Sequence, residues 1–204
     1  FIHQDFINSE IPYVRRFLDT KMSDEKFLSL YNCIKKNKIK TSCTPFDEKS
    51  VEKIEKFKFD YIKVASVSAL DFNLHERIVK NKIPKIISTG GIKIEDIDKI
   101  VSFYSKKKQK FGLMHCVSIY PTKNTDLNLR FIENLKNRYN DIDVGWSTHE
   151  DPNEFVPAAL ALSKGASMFE KHIGLKNSKY KLNKYSITPE KFDEWVRYLK
   201  KSEE

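Results

Sequence analysis

The amino-acid sequence predicts an α/β fold built around a parallel sheet, and it favours a (β/α)8 barrel over an open, doubly wound sheet. Short β-branched apolar runs alternate with longer amphipathic runs, as in successive strand–helix units. Polar residues follow nearly every apolar run. All strands of a barrel end at one mouth, whereas in an open sheet only the ends at a switch point converge. The even spread of polar groups over the strand ends therefore indicates a barrel.

Length and composition predict one globular domain over residues 1–204. The chain has 204 residues, 40% of them hydrophobic, with only 6 Gly and 7 Pro and no Pro-, Gly- or Ser-rich linker. No apolar run approaches the ~20 residues that cross a bilayer, and residues 1–4 do not resemble the start of an export signal. Three cysteines without a close pair argue against a disulfide framework or a zinc ribbon. We expect a cytoplasmic protein without a membrane partner.

A net charge of +9 raises the alternative of a nucleic-acid-binding module. The lysines are spread over helix-like stretches, and no nucleic-acid recognition motif accompanies them. We therefore keep nucleic-acid binding as a remote alternative and expect no nucleic acid as partner.

Six strands and four of the helices can be assigned from the pattern. The predicted strands cover residues 38–43, 61–65, 85–88, 111–117, 142–146 and 167–172. Ser23 is predicted to begin a helix, and apolar stripes mark three others within residues 94–104, 127–135 and 155–162.

His149 and His172 end consecutive predicted strands, which makes them neighbours in a barrel. Period-2 alternation places Glu170 on the same face as His172. Two imidazoles and a carboxylate at one mouth could hold a divalent metal with open positions for substrate oxygens. The alternative is a set of hydrogen-bonded polar residues at a strand end.

A second group of residues has the chemistry of an anion site. It combines hydroxyls, one cation and a glycine that can expose backbone amides: Thr44, Lys63, Ser66, Ser88, Thr89 and Gly90. A helix following Gly90-Gly91 would add the positive end of its dipole. No nucleotide-binding glycine fingerprint is present, and Ser-Thr-Gly-Gly also occurs as an ordinary turn.

The remaining candidates are assigned to packing. Cys43 and Cys116 lie inside strands and are predicted to be small core residues rather than nucleophiles. His115 is out of phase with Ser118 on its strand and should be a hydrogen-bonded His facing the helices. Trp146 and Trp195 are interpreted as packing residues.

Six ordered segments at the strand ends resemble the sialic acid synthase family, which includes synthases of related nine-carbon sugar acids and spore-coat polysaccharide proteins. The segments are Thr44-Pro45-Phe46-Asp47, Tyr61-Ile62-Lys63-Val64-Ala65-Ser66, Ile87-Ser88-Thr89-Gly90, His115-Cys116-Val117-Ser118-Ile119-Tyr120-Pro121, Gly145-Trp146-Ser147-Thr148-His149 and Phe169-Glu170-Lys171-His172. The resemblance covers nearly the whole chain. It implies a TIM barrel seen without its first strand–helix unit, because residues 1–4 resemble the family's second strand.

The resemblance also implies an activity, namely condensation of phosphoenolpyruvate with an N-acyl hexosamine such as N-acetylmannosamine, with release of phosphate. It implies a Mn²⁺ or Mg²⁺ ion on His149 and His172, catalytic roles for Glu170 and Tyr120, and a possible homodimer. The positions implied in binding phosphoenolpyruvate or sugar are Gln4, Thr44, Phe46, Lys63, Ser66, Ser88, Ser118, Tyr120, Ser147 and Asn183.

Several departures from the family pattern keep an alternative open. Ile2 stands where the family has a phosphate-binding Lys, and Asn183 stands where an Asp is expected. This sequence does not include the family's first strand with its catalytic Glu. It also does not include the C-terminal antifreeze-like domain. The alternative is a divergent member that binds sugar or phosphoenolpyruvate without turnover, or that acts on a different sugar.

Overall fold

A computed structural model describes residues 8, 10–176 and 181–204, and these form a six-stranded sheet flanked by helices. The strands lie side by side in chain order, and every neighbouring pair is parallel. They are β1 (Ser42–Cys43), β2 (Tyr61–Val64), β3 (Lys85–Ser88), β4 (Phe111–Cys116), β5 (Asp143–Thr148) and β6 (Met168–Lys171). All six predicted strands are therefore confirmed.

One α-helix lies in each connection between consecutive strands, as parallel pairing requires. Two more helices precede β1 and one follows β6. In chain order they are α1 (Pro12–Asp19), α2 (Asp24–Lys36), α3 (Glu48–Phe57), α4 (Phe72–Ile78), α5 (Ile94–Lys106), α6 (Arg130–Arg138), α7 (Val156–Ser163) and α8 (Pro189–Glu203). Short 3₁₀ turns cover Ser66–Ser68 and Asn124–Asp126.

The sheet is curled rather than flat. Lys63 on β2 and Glu170 on β6 approach to 3.5 Å between Nζ and Oε1, although three strands separate them in the sheet. In a flat sheet these strands would lie about 19 Å apart, at ~4.8 Å per strand spacing. The sheet therefore forms a partial barrel, which confirms the predicted fold class. Residues 1–4, predicted to be a further strand, lie outside the described residues.

Local signals decide where the elements begin and end. Ser23 caps α2 as predicted, since its Oγ accepts the backbone N–H of Lys26 at 3.3 Å. Strand β1 is shorter than the predicted 38–43, because Lys38 adopts a left-handed φ of 58° just after α2. The chain straightens only at Thr41, whose N–H and hydroxyl both donate to Asp60 at 2.8 Å.

The main core lies between the outer face of the sheet and the helices. Trp146 on β5 and Trp195 on α8 are both buried there, as predicted. His115 is buried on the same face and bonds the Leu127 carbonyl through Nε2 at 2.9 Å, which confirms its assignment as a packing residue. Within the described part of the chain, no helix combines the length and apolarity that a bilayer crossing requires.

Candidate active site at the mouth of the partial barrel

The carboxyl ends of the six strands surround a mouth, and below it lies a cavity of about 470 Å³. Strand residues facing the barrel axis contribute its walls, because alternate side chains of each strand point inward. The cavity is lined by Ser42, Thr44, Tyr61, Lys63, Ile86, Met114, Met168, Phe169 and Glu170. Three residues predicted for the site, Thr44, Lys63 and Glu170, therefore share one cavity.

Lys63 and Glu170 provide the charged groups of this cavity. Their ion pair is partly open to solvent, with 21% and 33% of the two side chains exposed. Partial exposure weakens such a pair by screening. The Lys63 ammonium can therefore turn toward an entering anion without leaving a buried carboxylate unpaired.

A close-packed cradle lies beside the pair, at the ends of β2, β3 and β4. The Gly90 N–H donates to Ser66 Oγ at 3.0 Å, and Ser66 Oγ is 3.1 Å from Cys116 Sγ. A Cβ placed on Gly90 would lie 2.5 Å from Ser118 Oγ and 2.6 Å from Cys116 Sγ. The three strand ends can approach this closely only because residue 90 has no side chain.

Burial raises the pKa of the Cys116 thiol, which keeps it protonated at neutral pH. Burial likewise raises the pKa of Cys43. Both shifts agree with the prediction that neither cysteine acts as a nucleophile.

The other predicted anion-binding hydroxyls differ in their surroundings. Ser88 Oγ is buried and has no hydrogen-bond partner among the described residues, so it has a free donor. Ser147 is also buried. Thr89, by contrast, donates its hydroxyl to the Met114 carbonyl at 3.1 Å and is committed to the sheet. The Phe46 side chain is 62% exposed near the end of β1.

His149 and His172 meet at the mouth as predicted, with ring centroids 5.3 Å apart. His149 is buried, and its Nδ1 lies 3.1 Å from the Val117 carbonyl oxygen. Because a carbonyl only accepts, Nδ1 carries the proton and Nε2 keeps a free lone pair. A hydrogen bond of this kind commonly orients a metal-ligating imidazole.

Both imidazoles are neutral at physiological pH. Burial lowers the pKa of His149 from 6.5 to about 4, and the nearby His172 and Lys63 lower it further. Desolvation by the surrounding side chains also lowers the pKa of His172, while the Glu170 charge acts in the opposite direction. Neutral imidazoles can bind a metal without first losing a proton.

Two tyrosine rings pack against this pair of histidines. The Tyr120 ring lies 4.2 Å from that of His149, and the Tyr185 ring lies 5.1 Å from that of His172. Asn183 Nδ2 donates to the Tyr185 hydroxyl at 3.2 Å, while its Oδ1 accepts from Arg16 at 3.1 Å. Asn183 therefore hydrogen-bonds one of the two tyrosines that flank the histidines.

The donor set fits a metal ion with several open coordination positions. His149 and His172 supply two imidazole nitrogens, but residues 8, 10–176 and 181–204 contain no group of three or more His, Cys, Asp or Glu placed to hold an ion. Substrate oxygens and water would have to complete the coordination, as in catalytic rather than structural sites. The two histidines meet as predicted, but the predicted third member of the set does not join them: the Glu170 carboxylate pairs with Lys63 instead, 3.5 Å away.

Sequence reasoning missed three features near the histidines or in the core. Tyr185 was not predicted, because no periodic pattern surrounds it. The ion pair between Glu150 and Lys171, which directly flanks His149 and His172, was not predicted either. His75 is buried in the core, with Nδ1 2.6 Å from the Tyr104 hydroxyl. Gln4, predicted to bind substrate, lies outside the described residues.

Comparison with known proteins adds a family assignment to this geometry. The model of the NeuB family matches residues 3–204. An uncharacterised protein of Methanocaldococcus jannaschii is 32% identical over 199 residues, covering 97% of this chain and 58% of that protein. A pseudaminic acid synthase of Campylobacter jejuni is 33% identical over 162 residues, covering 78% of this chain and 46% of that enzyme. The chain spans about half the length of these curated relatives.

Solved structures show the same similarity. A protein of Chromobacterium violaceum, described as a candidate spore coat polysaccharide biosynthesis protein E, superposes with a TM-score of 0.95 at 41% identity. The match covers 99% of this chain and 60% of that one. The N-acetylneuraminic acid synthetase of Leptospira borgpetersenii superposes with a TM-score of 0.87 at 27% identity, covering 97% and 69%.

Proposed function

Because the chain belongs to the NeuB family, whose relatives include synthases of several nine-carbon sugar acids, we propose that it condenses phosphoenolpyruvate with an N-acyl hexosamine of the N-acetylmannosamine type. The products are a nine-carbon 2-keto sugar acid and inorganic phosphate. One observation carries the proposal: an anion-binding group around Lys63 and a pair of neutral imidazoles lie at the same mouth.

The Lys63 side of the mouth suits phosphoenolpyruvate, which carries a phosphate and a carboxylate. Lys63 would pair with one of these anions, and the hydroxyls of Ser66 and Ser118 lie beside Gly90 in the adjoining cradle. The hydroxyl of Ser88, which has no partner in the described part of the chain, offers a further donor. Charge-assisted hydrogen bonds of this kind compensate for the desolvation of an anion.

The histidine side suits the acceptor sugar in its open-chain aldehyde form. A Mn²⁺ or Mg²⁺ ion held by His149 and His172 would supply Lewis-acid polarisation of the aldehyde oxygen. Tyr120 is 53% exposed, and its ring lies 4.2 Å from that of His149, on the histidine side of the mouth. Tyr120 would orient the sugar by a hydrogen bond.

The reaction joins carbon 3 of phosphoenolpyruvate to the aldehyde carbon, and the aldehyde oxygen takes up a proton. Water adds at carbon 2, and phosphate leaves with the bridging oxygen as the C–O bond breaks. Glu170 would accept a proton from this water, since its carboxylate lies beside Lys63 in the cavity. Lys63 would stabilise the phosphate as it departs.

Phosphate release by the full-length protein tests the proposal. The purified protein is given Mn²⁺, phosphoenolpyruvate carrying ¹⁸O at the bridging position, and a panel of N-acyl hexosamines. We expect sugar-dependent release of phosphate that retains the ¹⁸O, and loss of this activity in Lys63→Met. The exposed Lys49→Met is the matched control and should keep the activity. Absence of phosphate with every sugar would overturn the proposal, and binding of phosphoenolpyruvate without turnover would favour the divergent-member alternative.

A further inference from the structure

A fully buried ion pair lies directly behind the two histidines. Glu150 follows His149 in the chain and Lys171 precedes His172, and the carboxylate of Glu150 accepts a hydrogen bond from Lys171 Nζ. Neither side chain has any exposed surface. Lys171 is the last residue of β6, where alternation places its side chain on the face opposite Glu170, and the Glu150 carboxylate meets it there.

Stability alone is a poor explanation for this pair. Removing two charges from water is costly, and well-packed uncharged residues of similar volume often serve stability as well or better. The second carboxylate oxygen of Glu150 has no hydrogen-bond partner among the described residues, so the desolvation is only partly compensated. The neighbouring Thr148 hydroxyl is likewise buried without a partner in that part of the chain.

The position of the pair indicates a different role. The ladder between β5 and β6 ends at Thr148 and Lys171, so both histidines lie just beyond it. The backbone carbonyl of His149 accepts from Thr122 at 2.9 Å, and that of His172 accepts from Ile187 at 2.8 Å. These bonds tie each histidine to a different loop. The bond between Glu150 and Lys171 joins the two histidine-bearing segments directly.

We propose that Glu150 and Lys171 are positioning residues that fix the separation and orientation of His149 and His172 for a divalent cation. The part of this proposal that concerns the divalent cation rests on the proposed function. Each member of the pair is adjacent in sequence to one histidine, so a change in their contact shifts the neighbouring backbone and hence the ring. The separation and orientation of the two imidazoles have to be fixed closely, because the protein supplies only these two ligands to the cation.

The test removes both charges while keeping the volume, in the double variant Glu150→Gln/Lys171→Met of the full-length protein. A single substitution would leave one buried charge unpaired and could prevent folding. The matched control is Glu55→Gln/Arg77→Met, which removes a 2.7 Å ion pair between α3 and α4. Measurements are the affinity for Mn²⁺ by electron paramagnetic resonance and the melting temperature. We expect the Glu150/Lys171 variant to bind Mn²⁺ about 10- to 100-fold more weakly, the range seen when outer partners of metal ligands are lost. We expect its melting temperature to be unchanged or higher.

A second measurement does not depend on metal. Imidazole resonances of the ¹⁵N-labelled, metal-free protein should broaden or double for His149 and His172 in the Glu150/Lys171 variant, and stay sharp for His75 and His115. If the unaltered protein binds no Mn²⁺, the proposed function fails, whereas these resonances still decide the positioning role. Unchanged His149 and His172 resonances would overturn the inference. So would an equal loss of Mn²⁺ affinity in the control variant, or broadening of all these histidines together.

Discussion

Replacing Gly90 by Ala tests whether the close approach of three strand ends creates the anion site. The added Cβ would lie 2.5 Å from Ser118 Oγ, 2.6 Å from Cys116 Sγ and 3.0 Å from Ser66 Oγ. Non-bonded atoms normally stay ~3.5 Å apart, so the Ser118 hydroxyl has to move by about 1 Å. Cys116 ends β4, and Ser66 and Ser118 lie just beyond the ends of β2 and β4, so the added methyl group has to push these segments apart.

A displacement of about 1 Å at a reacting site can cost about 100-fold in rate, and overpacking typically costs about 1–3 kcal/mol of stability. We expect Gly90→Ala to lower kcat/KM for phosphoenolpyruvate by roughly that factor, with the free energy of unfolding reduced within that range. Initial rates of phosphate release at varied phosphoenolpyruvate give the first quantity. Urea unfolding followed by circular dichroism gives the second.

Gly165→Ala is the matched control for this prediction. Gly165 has a φ of +90°, which strains any residue with a side chain, and it lies between α7 and β6, at the amino end of that strand and away from the mouth. The control should lose stability and keep its KM for phosphoenolpyruvate. A folded Gly90→Ala variant with unchanged kcat/KM would refute the reasoning, and so would an equal loss of activity in both variants.

Three further predictions concern stability. Because the pKa of His149 falls from 6.5 to about 4 on folding, the unfolded state binds more protons between these values. Between pH 6.5 and 4 the free energy of unfolding of the metal-free protein should therefore fall by about 3 kcal/mol more than that of His149→Asn, and equal slopes would contradict this. His75→Phe should cost about 1–3 kcal/mol in urea unfolding, because the Tyr104 hydroxyl loses its partner in the core, and a changed KM for phosphoenolpyruvate would contradict a purely structural role. Asp60→Ala should also cost about 1–3 kcal/mol, since Asp60 accepts both the N–H and the hydroxyl of Thr41, and an unchanged urea midpoint would exclude this role.

The order of elements and much of the site could be predicted from the sequence. Apolar runs of strand length alternate with helical stripes, and such local patterns depend mainly on which face of an element is buried. His149 and His172 were predicted to be neighbours because parallel strands that follow one another place their ends side by side. Gly90 was predicted to allow a close approach of the backbone, and it does, but its N–H donates to Ser66 Oγ and is not left open for an anion as the sequence suggested.

The sequence does not reveal which side chains share a contact once the sheet has curled. Thr89 has the same chemistry as its neighbours, yet its hydroxyl is bound to the Met114 carbonyl and faces no ligand. Tyr185 reaches the histidines from a loop after β6, and loops carry no hydrophobic period. The partners of Glu150 and His75 lie 21 and 29 residues away in the chain, so no local rule identifies them.

By itself, the sequence determined the parallel strand–helix fold, the mouth as the place of the candidate site, and the residue types available there, because strand and helix periods and strand-end chemistry are properties of short segments. Only the tertiary structure decided that Lys63 meets Glu170 across the barrel, that the Ser88 hydroxyl has no partner among the described residues, and that a buried ion pair lies behind the histidines. These contacts depend on the curvature of the whole sheet, which brings together residues that lie far apart along the chain.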